Sequence, residues 1–264
     1  AITRKFSAKF TNKTGVTYTN MYYDMDMNLA PHQMHPMKLI SKGKGNTDLI
    51  SGYTSSSIGI SEQVSLNVGV NAQVLTLNNS WALEPRAGIK WQFSPKSSFA
   101  LAYGLHSRME KMDVYFVKTQ GTGDRSVNKD LGFTKAHHVM LSYGFKISDN
   151  ANMKIEPYFQ QLYNVPVIAD SSYSVLNRRD FYVENVLVNQ GKGRNIGVDI
   201  TLERYLYKGL YYMVTASIFD SKYYGGDRKW RNTLYNRNFI VNVLGGKEWM
   251  VGRDKQNIFS MTFK

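Results

Sequence analysis

One alternation of apolar and polar residues, between Trp81 and His106, restricts the folds open to this chain more than any other feature. From Trp81 to Phe93 every odd position is apolar, and the even positions between them are charged, polar or small. Successive side chains of a β-strand point to opposite faces, so this segment has one apolar and one polar face. A short turn leads into a second alternating segment, Phe99–His106. The pattern predicts a hairpin of membrane-crossing strands.

The same alternation recurs along the chain and predicts about 12 strands. These are about Ile2–Phe10, Thr14–Met27, Gly52–Ile60, Ser65–Thr76, Trp81–Phe93, Phe99–His106, Val139–Ile147, Met153–Gln160, Asn195–Glu203, Tyr212–Ile218, Phe239–Val243 and Ile258–Phe263. Long polar loops are predicted at about 28–51, 111–133, 165–194 and 222–237. The pair Gly245–Gly246 predicts a bulge or bend in the eleventh strand.

Short turns follow the odd-numbered strands and long loops follow most of the even-numbered ones, the fourth excepted. An up-and-down meander collects all the short turns at one end and the loops at the other, as outer-membrane barrels do. We therefore expect an all-β, antiparallel, up-and-down transmembrane β-barrel that forms a single domain, or part of one, over residues 1–264. A soluble β-sandwich also alternates, but its apolar faces must cover each other in a core. The second faces here are too polar for that.

The net charge of +13 restricts the partners that the chain can bind, and the absence of cysteine restricts its chemistry. Nucleic acid is one partner of a basic protein, but these cations are scattered over turns, loops and polar strand faces. We expect no nucleic acid; anionic lipid head groups or an anion-attracting lumen suit the charge better. Without cysteine there are no disulfides, thiolate metal sites or cysteine nucleophiles.

Several segments resemble barrel strands of TonB-dependent outer-membrane receptors of the Bacteroidetes type. They are Leu83–Trp91, Tyr103–Ser107, Gly191–Asp199, Ala216–Tyr223, Trp230–Thr233 and Asn242–Glu248. The resemblance implies a barrel of about 22 strands around a plug, of which this chain would be the C-terminal part. No segment resembles the plug domain or the TonB box, so we expect both in a part of the protein that precedes this chain.

The resemblance implies active import of a scarce solute across the bacterial outer membrane. The implied partners are the lipid bilayer and lipopolysaccharide, the plug domain, a TonB-type energy coupler and a surface lipoprotein. A passive channel, or a structural barrel subunit of a larger envelope complex, is the alternative. An enzyme is not expected, since no serine–histidine–acid arrangement lies on the predicted strands.

Candidate ligand contacts divide between the predicted lumen and the predicted loops. The lumenal candidates are charged residues on the polar faces of strands: Glu84, Arg86, Lys90, Glu156, Asp199 and Glu203. A cross-strand charge ladder that fixes barrel register is the competing interpretation of this set. The loop candidates are Tyr173 and Trp230, which could grip a solute or simply pack against other loop residues.

No cofactor and no metal site is expected. The nearest approach to a soft-metal motif is His32, Met34 and His35, which has no thiolate or carboxylate beside it in sequence. His137 and His138 are adjacent on one predicted strand, so their side chains should point to opposite faces and cannot share an ion.

Overall fold

The computed structural model describes residues 1–30, 36–119 and 125–264, and these form one antiparallel sheet. Its strands are β1 (Ile2–Ser7), β2 (Phe10–Leu29), β3 (Lys38–Gly59), β4 (Val64–Leu75), β5 (Ser80–Ser94), β6 (Ser97–Arg108), β7 (Thr134–Ser148), β8 (Ala151–Val167), β9 (Val188–Tyr207), β10 (Leu210–Tyr224), β11 (Trp230–Asn232), β12 (Phe239–Val251) and β13 (Asn257–Phe263). A four-residue helix α1 (Met112–Tyr115) and a 3₁₀ turn, Val175–Asn177, lie in the connections. His32, Met34 and His35 lie outside the described residues.

Twelve of these strands pair in chain order, and the short β11 pairs only with β10 beside that path. The expected antiparallel up-and-down meander is therefore confirmed. Turns of two to five residues join the strands at one end, and all but one of the connections at the other end are longer. Within the described part of the chain, β1 pairs only with β2, and β13 only with β12. The sheet consequently has two free edges.

The outer face of the sheet is apolar along its middle. Trp81, Leu83, Ile89 and Trp91 alternate along β5 and are all exposed, with 70% of Trp81 accessible. Their cross-strand partners Val74, Leu66 and Leu101 share this face, since directly paired residues project to the same side. These are the side chains predicted to meet lipid. In the described residues no helix is long and apolar enough to cross a membrane.

The loops predicted at 28–51 and 165–194 are too long, because β3 begins at Lys38 and β9 at Val188. The first half of β3 contains Gly43 and carries no apolar alternation, so its sequence does not indicate a strand. This half of β3 pairs with the second half of β2. On the outer face of this pair, Asp24 forms an ion pair with Lys44 (2.8 Å) and Asp26 with Lys42 (3.4 Å). These strands extend the polar end of the sheet beyond its apolar band.

Gly245 and Gly246 form no bulge, which is one of the two features predicted there. The ladders to β10 and β13 run through both residues without a register shift. Glycine is needed here because aromatic rings from the neighbouring strands occupy the space above the backbone. A Cβ at Gly246 would lie 2.5 Å from the Tyr211 ring, and one at Gly245 would lie 2.6 Å from the Phe263 ring.

The hydrophobic core lies at the long-loop end, where residues of the β6–β7 and β8–β9 connections fold against the inner side of the sheet. We call this structure the loop cap. The buried residues of the cap are Val114, Tyr115, Phe116, Val117, Leu131, Phe133, Val183 and Leu187, and they pack against Leu75 and Ala82 of the sheet. Backbone hydrogen bonds from the Lys42 N–H to the Phe116 carbonyl (3.2 Å) and from the Lys118 N–H to the Ile40 carbonyl (2.8 Å) join the cap to the first half of β3. The cap therefore closes one end of the inner wall.

Candidate functional site

The inner wall carries the six charged residues predicted to face the lumen. Their strand positions alternate with the exposed apolar residues of the outer face, and cross-strand pairing relates Asn71 to Glu84 and Glu156 to Asp199. The structure divides the set into three places along the wall. Glu84 and Arg86 lie near the loop cap, Lys90 lies closer to the short turns, and the remaining carboxylates lie on β8 and β9.

Glu84 is the centre of a hydrogen-bond network that joins three strands. Only 3% of the residue is exposed. Its carboxylate accepts hydrogen bonds from Asn71 Nδ2 (3.1 Å), Gln73 Nε2 (3.0 Å) and Arg86 Nη2 (2.7 Å). It also accepts from the backbone N–H (2.8 Å) and hydroxyl (2.7 Å) of Ser107. A buried carboxylate is tolerated when its oxygens are satisfied in this way, so Glu84 fixes β4, β5 and β6 together.

Arg86 presents a cation to the inside of the sheet. Half of its side chain is exposed, while one end is held by Glu84. Its cross-strand partner is Gly104, and a Cβ there would lie 2.7 Å from His106 Nε2. The glycine thus leaves room for the imidazole beside the guanidinium. A concave region of about 580 Å³ borders this position, with Ser55, Asn67 and Asn71 among its lining residues.

A second concave region, of about 480 Å³, lies towards the short turns and is mainly cationic. Lys90, Lys146 and Lys154 line it together with Glu156. Lys154 Nζ lies 2.7 Å from Glu156 Oε1, so that carboxylate is already paired. Lys90 is exposed, and in the described part of the chain it forms no salt bridge. This part of the wall would attract an anion.

Asp199 and Glu203 occupy separate positions on β9. Asp199 accepts a hydrogen bond from the hydroxyl of Ser217 and borders a concave region of about 500 Å³ with His138, Tyr158 and Gln160. Its direct partner on β8 is Glu156, so two carboxylates face each other across the ladder. Glu203 pairs with Asn152 nearer the turn, away from this pair. The structure does not gather the predicted carboxylates into one site.

The loop cap is organised around Tyr115, which is fully buried. Its hydroxyl accepts a hydrogen bond from the backbone N–H of Glu110 at 3.1 Å, and Glu110 Oε1 accepts one from the Thr134 hydroxyl at 2.9 Å. Burial raises the pKa of Tyr115 to about 12. The polar groups of this Tyr115–Glu110–Thr134 chain are therefore satisfied, and the cap is a packed element of the fold.

A cavity of about 440 Å³ opens between the two loops of the cap. Arg108, Lys111, Arg178, Asp180 and Phe181 are among its lining residues. Arg178 forms an ion pair with Asp113 at 3.2 Å, which joins the two loops. The predicted contact Tyr173 packs against the core of the cap beside this cavity, and its burial raises its pKa. None of the arginines at this cavity was predicted from the sequence as a ligand contact.

Trp230 lies on the short strand β11, on the outer face of the sheet. Its ring packs at a tilt against the ring of Tyr224 with centroids 5.4 Å apart, and the Arg194 guanidinium lies 5.4 Å from the centroid of the Trp230 ring. Trp230 pairs with Tyr224, which pairs in turn with Lys192, so all three side chains lie on the outer face. The thickness of the sheet therefore separates Trp230 from the inner wall. Its surroundings are those of an interfacial aromatic residue.

The two adjacent histidines do point to opposite faces, as predicted. His137 stacks with Tyr163 (5.2 Å) on the outer face and its Nδ1 lies 3.0 Å from the Tyr103 hydroxyl. His138 packs against His106 (4.7 Å between ring centroids) on the inner wall. Within residues 1–30, 36–119 and 125–264, no group of three or more His, Cys, Asp or Glu side chains is placed to hold a metal ion.

Comparison with known proteins identifies the fold. No family model matches the sequence, and no curated protein does. Among solved structures, the FrpB iron transporter from Neisseria meningitidis (F3-3 variant) has a TM-score of 0.63 at 14% identity, covering 95% of this chain and 39% of that one. The ferric-catecholate import receptor Fiu from E. coli K12 has a TM-score of 0.66 at 12% identity, over 95% of this chain and 41% of that one.

The siderophore receptor PiuA from Acinetobacter baumannii is similar to the same degree, with a TM-score of 0.63 at 12% identity over 93% of this chain and 42% of that one. The chain thus spans about two fifths of the length of these structures. At this level of identity the comparison establishes the fold alone, which is that of an outer-membrane β-barrel.

Proposed function

We propose that this chain, which has the fold of an outer-membrane barrel, is the barrel portion of a TonB-dependent receptor that imports a scarce solute across the bacterial outer membrane. One observation carries the proposal. A single meander combines an apolar outer face, a polar inner wall and a loop cap at one end. In structural alignments, 95% of the chain is covered by an iron transporter and by a ferric-catecholate import receptor.

The free edges of β1 and β13 support a larger barrel. Each presents unpaired backbone groups, and lipid does not tolerate an open edge. We propose that further strands pair with both edges to complete a barrel of about 22 strands, which is the size that encloses a plug. The plug domain would cover the inner wall, and a TonB-type coupler would act on the plug.

The proposed solute is an anionic iron chelate. The similar structures include an iron transporter, a ferric-catecholate import receptor and a siderophore receptor. In this chain the exposed cations Arg86 and Lys90 face the interior, and Arg108, Lys111 and Arg178 line the cavity of the loop cap. Cations along an entry path raise the local concentration of an anionic ligand and speed its capture.

The predicted contact residues take different parts in this proposal. Arg86 and Lys90 would meet the solute directly, while Glu84 positions Arg86 from its buried network. Glu156, Asp199 and Glu203 would balance the neighbouring lysines and arrange the inner wall. Tyr173 would support the cap cavity, and a surface lipoprotein would close over the loops from outside.

Uptake of radioactive iron tests the proposal in cells that carry or lack the gene for the intact protein. The probes are ferric complexes of a catecholate, a hydroxamate and citrate, each supplied with and without an uncoupler of the proton gradient. We expect at least one complex to enter only when the gene is present and the gradient is intact. Uptake that persists after uncoupling would indicate the passive channel, and the same uptake in both strains would refute import of these complexes.

A further inference from the structure

Two imidazole rings from neighbouring strands lie side by side on the inner wall. His106 belongs to β6 and His138 to β7, and their ring centroids are 4.7 Å apart at an interplanar angle of 51°. The side chain of His106 leans back along β6, since a Cβ at Gly104 would lie 2.7 Å from His106 Nε2. Gly104 is the direct cross-strand partner of His138. The absence of a side chain at Gly104 therefore lets one imidazole lie beside the other.

In the described part of the chain, the nitrogens of both rings have no protein partner. Among residues 1–30, 36–119 and 125–264, no hydrogen bond or ion pair is formed by the side chain of His106 or His138. His137 differs, because its Nδ1 lies 3.0 Å from the Tyr103 hydroxyl on the outer face. Both inner rings are half-buried, and each neutral imidazole has one nitrogen lone pair to offer. The pair is therefore available to a ligand.

The separation of the two rings suits one metal ion between them. Imidazole nitrogens bind Zn²⁺ at about 2.0 to 2.1 Å, so two rings on one tetrahedral or square-planar ion have centroids about 4.5 to 5.2 Å apart. The observed distance of 4.7 Å between His106 and His138 lies within that interval. One nitrogen of each ring can therefore reach a shared ion without a movement of the strands.

The surroundings of the pair tolerate a cation and give access to it. Arg86 is the other cross-strand partner of Gly104, and its positive charge is balanced by the Glu84 carboxylate at 2.7 Å. His138 borders the concave region of about 500 Å³ described above, so water can reach an ion at this position and complete its coordination. Imidazole suits Cu²⁺, Ni²⁺ and Zn²⁺, whereas Mg²⁺ and Ca²⁺ prefer oxygen ligands.

We propose that His106 and His138 bind a divalent transition-metal ion on the inner wall. The two imidazoles supply two ligands and water supplies the others, so no third protein ligand is required. This ion is a ligand of a different class from the proposed ferric chelate, and its binding does not depend on the import of iron. The sequence alone does not indicate the site, because only the pairing of β6 with β7 brings the two histidines together.

Titration of the purified intact protein in detergent with Cu²⁺, Ni²⁺, Zn²⁺ and Mg²⁺ tests the proposal. The protein is prepared without a polyhistidine tag, and isothermal titration calorimetry measures each dissociation constant. The test variants are His106→Gln and His138→Gln, which keep a polar side chain at each position. His137→Gln is the matched control, since His137 is adjacent to one test position but lies on the outer face.

We expect Cu²⁺ to bind most tightly of the four ions and Mg²⁺ most weakly, which is the order for nitrogen ligands. Each test variant should bind Cu²⁺ about tenfold more weakly than the unaltered protein, or worse, because the loss of even an outer-shell partner of a ligand weakens metal binding by about that factor. The control should stay within about twofold. The proposal is overturned if both test variants bind normally, or if the control weakens binding as much as they do.

Electron paramagnetic resonance of the Cu²⁺ complex counts the imidazole ligands directly. The spectrum should show two imidazole nitrogens in the unaltered protein and in His137→Gln, and fewer in His106→Gln and His138→Gln. Identical spectra from all four proteins would place the bound ion elsewhere and refute the proposal. Heat-modifiable migration on gels shows that each variant is folded.

Gly104→Ala tests the geometry while both histidines stay in place. The new Cβ would lie 2.7 Å from His106 Nε2, so the ring must move and Cu²⁺ binding should weaken about threefold or more. Gly88→Ala is its control on the same inner face, where the nearest atom to the new Cβ would be 3.6 Å away. An unchanged affinity in folded Gly104→Ala would also contradict the proposal. Because binding is measured on purified protein, its loss is distinguishable from a failure of iron uptake, which tests the proposed function separately.

Discussion

The Glu84 carboxylate accepts a hydrogen bond from the Arg86 guanidinium at 2.7 Å, although Glu84 is buried and half of the Arg86 side chain is exposed. The two residues are two positions apart on β5, so they share the inner face. Asn71, Gln73 and Ser107 hold the carboxylate from the neighbouring strands. A structural junction thus fixes the direction of a cation that faces the interior.

Replacement of Glu84 by alanine should destabilise the sheet by about 3 kcal/mol. The change leaves the amides of Asn71 and Gln73 and the N–H of Ser107 without their acceptor in a buried position. Urea unfolding of the intact protein in lipid vesicles, followed by tryptophan fluorescence, measures the loss. Glu84→Gln keeps an acceptor oxygen and should cost less.

Glu62→Gln is the matched control for this junction. Glu62 is exposed in the short turn between β3 and β4, and its replacement should change the free energy of unfolding by less than about 0.5 kcal/mol. Equal effects at positions 62 and 84 would mean that the network around Glu84 adds nothing to stability.

The two faces of β5 should respond differently to charge. Ile89→Arg puts a cation into the apolar outer face near mid-strand and should cost about 2 to 4 kcal/mol in lipid. Lys90→Gln, at the next position, alters the inner wall and should be tolerated. The measurement is the yield of folded barrel in vesicles and its urea midpoint. The reverse ranking would show that the faces have been assigned the wrong way round.

The facing of Ile89 and Lys90 was predictable because it depends only on the two-residue period of a strand in contact with lipid. The same period predicted that the side chains of His137 and His138 point to opposite faces of the sheet. It could not define the first half of β3, where Lys42 and Lys44 pair with aspartates on the outer face. Where both faces of a strand meet polar or locally packed surroundings, the alternation that identifies a membrane strand is absent.

The loop cap was unpredictable for a related reason. Val114–Val117 is a short apolar run inside a segment predicted to be a loop, and that run was the one available signal. Its partners include Tyr23 on β2 and Leu75 on β4, which are distant in sequence. The arginines of the cap cavity could not be predicted as a group, because it is these long-range contacts that bring the two loops together.

Alkaline pH should weaken the loop cap through Tyr115. Its folded pKa is about 12, above the value of about 10 for an unfolded tyrosine. The neutral form is therefore favoured by folding, and its contribution is complete below pH 10 and falls as the pH rises towards 12. Limited proteolysis of the cap loops across this range should accelerate in the unaltered protein.

Tyr115→Phe should remove most of that acceleration, because phenylalanine does not ionise. At neutral pH the variant loses the hydrogen bond from the Glu110 N–H and should be less stable by about 1 kcal/mol. Tyr235→Phe, at a loop position that is 67% exposed, should leave the pH profile unchanged. A profile for Tyr115→Phe identical to that of the unaltered protein would assign the alkaline effect to another group.

Two glycines of β3 offer a matched test of how the cap is attached. A Cβ at Gly43 would lie 2.6 Å from Cδ1 of Phe116, whereas one at Gly52 would meet nothing within 4 Å. Gly43→Ala should therefore displace Phe116 and destabilise the cap by about 1 to 3 kcal/mol. Gly52→Ala should be neutral or slightly stabilising, since glycine lowers the stability of a strand interior.

Hydrogen exchange at the amides of Lys42 and Lys118 reports this attachment, because both donate backbone bonds that join β3 to the cap segment. Exchange at these two sites should accelerate in Gly43→Ala while the β4–β5 ladder stays protected. In Gly52→Ala both regions should exchange at the original rate. Unchanged exchange in Gly43→Ala would show that Phe116 moves aside without loosening the cap, and that contact would then not be what holds the cap to β3.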